Sequence, residues 1–289
     1  MSDVIWSHRP ALRRPILVAA FEGWNDAGDA ATAAVEFISA RFKPTEIARI
    51  DPEEFVDFTE TRPKINLVDG DTREVLWPAT TITACEVSGA ENDLAILQGP
   101  EPSLRWRRYC RAVLEVARDL DAGRVVTLGS LLADVPHTRP VSISAIASDK
   151  GTVERLGFEP TRYEGPTGIV GVLQHAMAAA GFPATSLWAS VPHYVAAAPN
   201  PKVALSLVRA FEGAAGVVVD AAELEGAAED YERQVSAAVA SDPEVKAFVE
   251  RLESAMDEVT DDAGPINLPS PDTIASDFQR FLRQQGGRG

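Results

Sequence analysis

Carboxylates are concentrated at one strand-to-helix junction, in the stretch "ILVAAFEGWNDAGDAATAAVEFI" (16–38). An apolar run ends at Phe21, and Glu22, Asp26 and Asp29 follow before an alanine-rich segment that predicts a helix. Such junctions bind phosphate in many nucleotide enzymes, because a helix amino terminus carries free N–H groups and a partial positive charge. A phosphate here would lie beside these carboxylates, and each close pair of like charges would cost ~1–4 kcal/mol at about 4 Å. Neither of the glycine-rich phosphate-binding signatures, G-x-G-x-x-G and G-x-x-x-x-G-K-[ST], fits the sequence. The sequence therefore disfavours a phosphate site.

Three interpretations of this junction stay open. In the first, Asp26 and Asp29 only cap the helix, with Asn25 as another possible cap, and the glycines permit a tight turn. In the second, Glu22 and Asp26 help to form a pocket for a cation, an amine or a hydroxyl-rich ligand. In the third, Trp24 and the flanking carboxylates form a partner-binding edge, since tryptophan is a frequent interface anchor. Capping leaves Glu22 and Trp24 unexplained.

Polar and aromatic residues also collect in three later loops, at residues 129–139, 164–168 and 192–194. In an open α/β sheet, ligands bind beyond the carboxyl ends of the strands, so these loops are expected to meet the first junction there. The candidate pocket comprises Glu22, Trp24, Asn25, Asp26, His137, Arg139, Glu164, Thr167, His193 and Tyr194.

An enzyme built on this pocket would use Glu22 or Asp26 as a base or cation ligand and His137 or His193 as its acid–base partner. The alternative is that each histidine is ordinary hydrogen-bonded loop structure. The residues alone assign no catalytic role.

Other chemical signatures are weak. Ser130 follows a predicted strand, but "LGSLL" lacks the second glycine of a nucleophile elbow. The histidines and cysteines form neither an HExxH nor a CxxC pattern, so we predict no metal and no cofactor. Cys85 and Cys110 are interpreted as packing residues in a reducing compartment.

Charge and hydropathy exclude further classes of function. The formal net charge of −16 opposes binding to nucleic acid or to anionic membranes. No apolar run is long enough to cross a bilayer, and the first residues do not form a signal peptide. We therefore expect a cytoplasmic protein.

Strands alternate with helices along most of the chain, which predicts an α/β fold with a mostly parallel sheet flanked by helices. Residues 46–98 read as strands, with a hairpin around Asp69-Gly70, and are expected to add antiparallel pieces at one edge. A helix over 103–120 carries arginines on one side, which either face solvent or pair with the acidic helices of 220–262, within one chain or between subunits; they are Arg105, Arg107, Arg108, Arg111 and Arg118.

The composition changes near residue 220 and divides the chain into three predicted parts. Residues 1–219 form the α/β core. Residues 220–262 contain 14 Asp or Glu against three Lys or Arg and form an acidic helical appendage. Residues 263–289 form a linker and a terminal amphipathic helix.

Four segments together resemble the PAC2 (proteasome assembly chaperone 2) family, in particular its actinobacterial members. They are "FEGWNDAGDAA" (21–31), "LADVPHTRP" (132–140), "GPTGIVGVL" (165–173) and "VPHYV" (191–195). The resemblance implies a phosphorylase/hydrolase-like α/β core, a homo-oligomer whose expected form is a trimer, and proteasome subunits as partners. It supplies no catalytic residues. Some archaeal relatives dock through a hydrophobic–tyrosine–any-residue tail, which the ending Gly287-Arg288-Gly289 lacks, so another docking surface is expected here.

Two hypotheses for function follow. The first is a non-enzymatic assembly or interaction protein that acts as a homo-oligomer. The alternative is a small-molecule-binding protein, or a hydrolase- or phosphorylase-like enzyme, that uses the loops at the carboxyl ends of the strands.

Overall fold

The computed structural model describes residues 2–68, 70–161, 163–195 and 198–261. Eleven strands lie in this part of the chain: β1 Val4–Trp6, β2 Ile16–Glu22, β3 Thr45–Ile50, β4 Lys64–Val68, β5 Thr72–Leu76, β6 Thr80–Cys85, β7 Leu94–Pro100, β8 Arg124–Ala133, β9 Ile143–Ala147, β10 Glu159–Pro160 and β11 Ala184–Pro192. The α-helices of the same part are α1 Ala30–Arg41, α2 Trp106–Asp119, α3 Lys150–Leu156, α4 Ile169–Ala179, α5 Pro201–Ala215, α6 Ala222–Ala240 and α7 Pro243–Asp261.

Nine of these strands form one mixed sheet in the order β1-β3-β6-β7-β2-β8-β11-β9-β10. The centre, β7-β2-β8-β11, is parallel, as buried strands joined by helical crossovers require. The antiparallel strands β1, β3 and β6 lie at one edge. The predicted α/β fold class is therefore confirmed. Strand β9 adds an antiparallel pair with β11 on the other side of the sheet.

Helices cover both faces of the sheet, and β2 contributes alternate residues to each apolar layer. Ile16 and Val18 pack towards α1 and α5, whereas Leu17 and Phe21 pack towards α2 and α4. This alternation follows from the two-residue period of a strand, and it explains why the whole run is apolar. Both faces at the carboxyl end of β2 are thus fixed by packed helices.

The acidic C-terminal segment forms the two long helices α6 and α7, and α6 packs on α5. Within the described residues its carboxylates pair with cations of the preceding segments: Glu223 with Arg41, Glu225 with Arg209, Glu232 with Lys202, and Asp257 with Arg139. The predicted alternative, pairing with the arginines of 103–120, is not made within one chain by Arg105 or Arg108. Arg105 pairs with Glu54, and Arg108 pairs with Asp3 and Glu54. Asp3 and Glu54 lie in segments packed near α2, so these arginines find closer partners.

Strands β4 and β5 form a separate antiparallel hairpin, and among the described helices and strands they make extensive contacts only with each other. The predicted hairpin is therefore present, although Asp69 of its turn is outside the described residues. Cys85 and Cys110 are free and buried, as expected for packing residues. The predicted linker and terminal helix, residues 263–289, also lie outside the described residues.

Candidate functional site

The acidic turn, residues 22–29, begins where β2 ends and is fixed at three places. The hydroxyl of Ser130 on β8 donates to the carbonyl of Ala27 at 2.9 Å, and Ser130 N donates to Asn25 O at 2.8 Å. The backbone N–H of Asn200, just before α5, donates to Gly28 O at 2.8 Å. Asn25 and Asp26 are consequently buried, whereas Glu22 is exposed and Trp24 is 42% exposed.

Asp26 satisfies the amino terminus of α1. Its Oδ1 accepts from Ala31 N at 2.7 Å and from Thr32 N at 3.2 Å, and its Oδ2 accepts from the Thr32 hydroxyl. Burial raises the pKa of this carboxyl above its ordinary value, although the three hydrogen bonds oppose the rise. The helix terminus that could have held an external anion is therefore occupied by a side chain of the protein itself.

Asp29 does not share this capping role. It holds a left-handed backbone conformation, with φ 48°, and its side chain makes no capping hydrogen bond. A short 3₁₀ turn, Ala27–Asp29, separates Asp26 from α1, so the helix begins three residues later than its sequence pattern suggests. The interpretation of both aspartates as caps is thus correct for Asp26 and wrong for Asp29.

Asn25 joins the acidic turn to the start of α4 through Glu101. The Asn25 amide donates to Glu101 Oε1 at 2.7 Å, and the same oxygen accepts from Ile169 N at 2.8 Å. A Cβ atom at Gly168 would lie 2.2 Å from Asn25 Oδ1, so only glycine permits this approach. Asn25 Oδ1 itself is buried without a hydrogen-bond partner. The segments 21–31 and 165–173, two of the four that resemble the PAC2 family, therefore meet in a close-packed contact.

A second polar group, the histidine cluster, consists of His137, His193, Tyr194 and Phe248. The Tyr194 hydroxyl accepts from His137 N at 2.7 Å and lies 2.8 Å from His137 Nδ1. His137 Nε2 lies 3.1 Å from the hydroxyl of Ser236 on α6. Both ring nitrogens of His137 are therefore engaged within the protein.

The acidic helix α7 closes over the histidine cluster. The Phe248 ring packs edge-to-face against His193 and Tyr194, with centroid separations of 5.6 and 5.9 Å. Arg139 donates two hydrogen bonds to Asp257, at 2.9 and 2.7 Å, and lowers the pKa of that exposed carboxyl. This paired geometry matches the two oxygens of a carboxylate and fixes the helix on the loop.

Titratable groups surround His137 on several elements. Burial lowers the pKa of His137 below its ordinary value, and the nearby Lys202 ammonium adds to the decrease. Glu232 and Glu253 act in the opposite direction. His193 Nδ1 lies 2.9 Å from Asp134 Oδ1, but without the angle of a hydrogen bond. The folded protein thus favours neutral His137.

Little open space remains beside the histidine cluster. The hollow next to it is lined by His137, Arg139, Asn200, Tyr231 and Glu232 among others. The room for water-sized molecules is about 10 Å³, close to that of one ordered water. Within the described residues, no group of three or more His, Cys, Asp or Glu is arranged to hold a metal ion.

A family model described as the PAC2 family matches residues 20–239. This range includes the whole acidic turn and every residue of the histidine cluster except Phe248, which lies on α7. This chain belongs to the PAC2 family. The match starts within β2 and ends on α6, so the acidic turn, Glu101, the start of α4 and the loop of His137 all lie inside it.

Solved structures support this membership. A Mycobacterium tuberculosis protein described as a proteasome-assembly chaperone homologue is 46% identical with a TM-score of 0.76, covering 81% of this chain and 99% of its own. A PAC2 family protein from Streptomyces avermitilis is 43% identical with a TM-score of 0.75 and the same coverage. An archaeal proteasome activator from Pyrococcus furiosus, 15% identical with a TM-score of 0.65, shares the fold over 81% of this chain and 97% of its own. The comparison with curated proteins gives no match.

The PAC2 chain brings some of the predicted pocket residues together and separates others. Asn25 and Asp26 lie in the acidic turn, and His137, Arg139, His193 and Tyr194 lie at or beside the histidine cluster. Glu22 and Trp24 lie in the acidic turn, and the main-chain oxygen of Glu22 accepts from Glu101 N at 3.1 Å. Within the described residues, the side chains of Glu22, Trp24 and Glu164 make no hydrogen bond or ion pair, and Thr167 makes only a local contact with Gly168 O at 3.5 Å.

Several residues that complete these networks were not predicted. Glu101 directly follows β7, so the rule that ligands gather at carboxyl ends of strands could have nominated it. Ser236, Phe248 and Asp257 gave no such signal, because each is distant in sequence from its partner and sits in a helix with an ordinary amphipathic pattern.

Proposed function

We propose that this PAC2 protein is a non-enzymatic binding protein that acts as a homo-oligomer in the assembly of proteasomes. The observation that carries the proposal is the closure of the histidine cluster by α6 and α7. The description of the 46% identical M. tuberculosis relative as a proteasome-assembly chaperone homologue supports the choice of partner.

The geometry gives the alternative, a small-molecule enzyme, less support. Pockets for small ligands usually offer about 300–1,000 Å³, far more than the hollow beside His137. An acid–base catalyst also needs a nitrogen within hydrogen-bond reach of its substrate, whereas Tyr194 and Ser236 already occupy both nitrogens of His137.

In this proposal the α/β core, residues 1–219, is the scaffold, and the acidic appendage, residues 220–262, contacts the partner. Many carboxylates of α6 and α7 are exposed and lack ion pairs among the described residues, including Glu229 and Glu258. Such a surface attracts basic partners and raises their association rate. We further propose a cytoplasmic location, since a proteasome partner must be met there.

Binding of the purified full chain to proteasome α and β subunits tests the proposal. The wild type is expected to retain subunits, and Glu229→Lys with Glu258→Lys is expected to weaken binding about tenfold by reversing two partner-facing charges. The matched control, Glu86→Lys with Glu91→Lys, makes the same change in net charge at exposed positions near the amino end of β7 and should change binding less than about twofold.

A second arm removes residues 263–289 and asks whether the terminal segment contributes. Binding that is lost on this deletion would locate the partner contact there and contradict the assignment to the acidic helices. Failure of the wild type to bind any proteasome subunit would contradict the proposed function altogether.

A further inference from the structure

The hairpin of β4 and β5, with Trp77 directly after it, holds six of the eleven exposed large apolar side chains of the described residues. We call residues 64–77 the arm. Every residue of both strands is exposed, and Ile65 and Leu67 are each 62% exposed. An isolated two-stranded hairpin is at best marginally stable in water, so its apolar side chains need a covering surface.

Most of the large apolar side chains of the arm lie on one face. Ile65 pairs with Val75 and Leu67 pairs with Arg73, and cross-strand partners point to the same side. Trp77 continues this side two residues after Val75 and packs edge-to-face on Phe58 at 4.9 Å. The opposite face carries the pairs Lys64–Leu76, Asn66–Glu74 and Val68–Thr72, which are mostly polar.

Charge bears on what covers the apolar face. The whole chain carries a formal net charge of −16, so two copies repel each other overall. The arm is close to neutral, with two basic residues, Lys64 and Arg73, against three acidic ones in its sequence. Two copies can therefore approach at the arm with little repulsion, whereas a strongly basic partner would be drawn to α6 and α7 instead.

We propose that the apolar face of the arm, formed by Ile65, Leu67, Val75 and Trp77, is the surface through which this chain binds a second copy of itself. The inference rests on the homo-oligomer of the proposed function and names the surface that forms it. Leu104 is a further exposed apolar residue, and its N–H donates to the carbonyl of Phe55, three residues before Phe58.

Analytical ultracentrifugation of the full chain tests the inference with two matched double variants. Ile65→Ser with Leu67→Ser changes the apolar face, and Val68→Ser with Leu76→Ser makes a chemically similar change on the opposite face of the same strands. We expect the first pair to raise the dissociation constant of the oligomer at least about tenfold, and the control to change it less than about threefold. Equal effects of the two pairs, no effect of the first, or a monomeric wild type would overturn the inference.

A cross-link keeps the test decisive if a serine variant is poorly folded. A photoreactive benzophenone side chain at position 67 of the otherwise unchanged chain should link two chains to each other. A link only within one chain, including to residues 262–289, would show that the arm is covered internally and would overturn the inference. An oligomer that depends on the arm but binds no proteasome subunit would contradict the proposed function and leave this inference supported.

Discussion

The acidic turn and the histidine cluster both gather polar side chains at the carboxyl ends of the central strands, but they are closed in different ways. The acidic turn is closed by main-chain groups of the core, at the amino termini of α1 and α4. The histidine cluster is closed by side chains of α6 and α7. The first is therefore held by the sheet and its flanking helices, whereas the second also depends on α6 and α7. Four changes, in order of decreasing expected effect, test this contrast.

Gly168→Ala should have the largest effect. The new methyl group would lie 2.2 Å from Asn25 Oδ1 and would separate α4 from the acidic turn. We expect a loss of about 3 kcal/mol in the free energy of unfolding, measured with urea. The control is Gly226→Ala on α6, where nothing lies within 4 Å and a gain of about 0.5–1 kcal/mol is expected. Similar losses at both positions would contradict the close contact.

Asp26→Ala should remove the cap of α1 and leave two buried N–H groups without an acceptor. We expect a loss of about 2 kcal/mol in the free energy of unfolding. Asp26→Asn keeps one acceptor and should cost less. Asp29→Asn is the control and should change stability by less than about 0.5 kcal/mol, since Asn also tolerates a left-handed backbone. A larger effect at Asp29 than at Asp26 would reverse the assignment of the cap.

Phe248→Ala should loosen α7 without unfolding the core. The substitution removes a half-buried ring that packs on His193 and Tyr194. We expect the free energy that protects backbone amides from hydrogen exchange to fall by about 1–2 kcal/mol, only in α7 and the loops beneath it. Amide hydrogen exchange measures this, with exposed Lys246→Ala as the control. Equal loss of protection in β2 would mean that α7 and the core unfold together.

Acidification should produce the smallest effect. Burial lowers the pKa of His137, so neutral His137 contributes stability above the ordinary histidine pKa of about 6.5. That contribution is lost as the pH falls below about 6.5 and through the lower pKa of the folded state. The melting temperature of the wild type should therefore fall more between about pH 7.5 and pH 5.5 than that of His137→Gln.

His175→Gln provides the control for acidification, since His175 is exposed on α4. Its melting temperature should follow the wild type across the same pH range. A wild type and a His137→Gln variant with the same pH dependence would show that His137 is not held neutral by the fold.

Local patterns predicted much of this fold. The alternating residues on either side of Asp69-Gly70 predicted the β4–β5 hairpin, and the apolar run 15–21 predicted β2. The start of α1 was less predictable, because the backbones of Gly28 and Asp29 turn left-handed and delay the helix. The antiparallel pairing of β9 with β11 was not predicted, since strand direction depends on the path of the chain around the sheet.

The sequence by itself determined the fold class and the family, and it disfavoured a phosphate at the acidic turn, because these follow from local periodicity, motif residues and counted charges. Only the tertiary structure decided that Asp26 and not Asp29 caps α1, that Glu101 joins Asn25 to α4, and that α6 and α7 cover His137. The physical reason is distance along the chain. Ser236 and His137 are 99 positions apart, and only folding makes them neighbours.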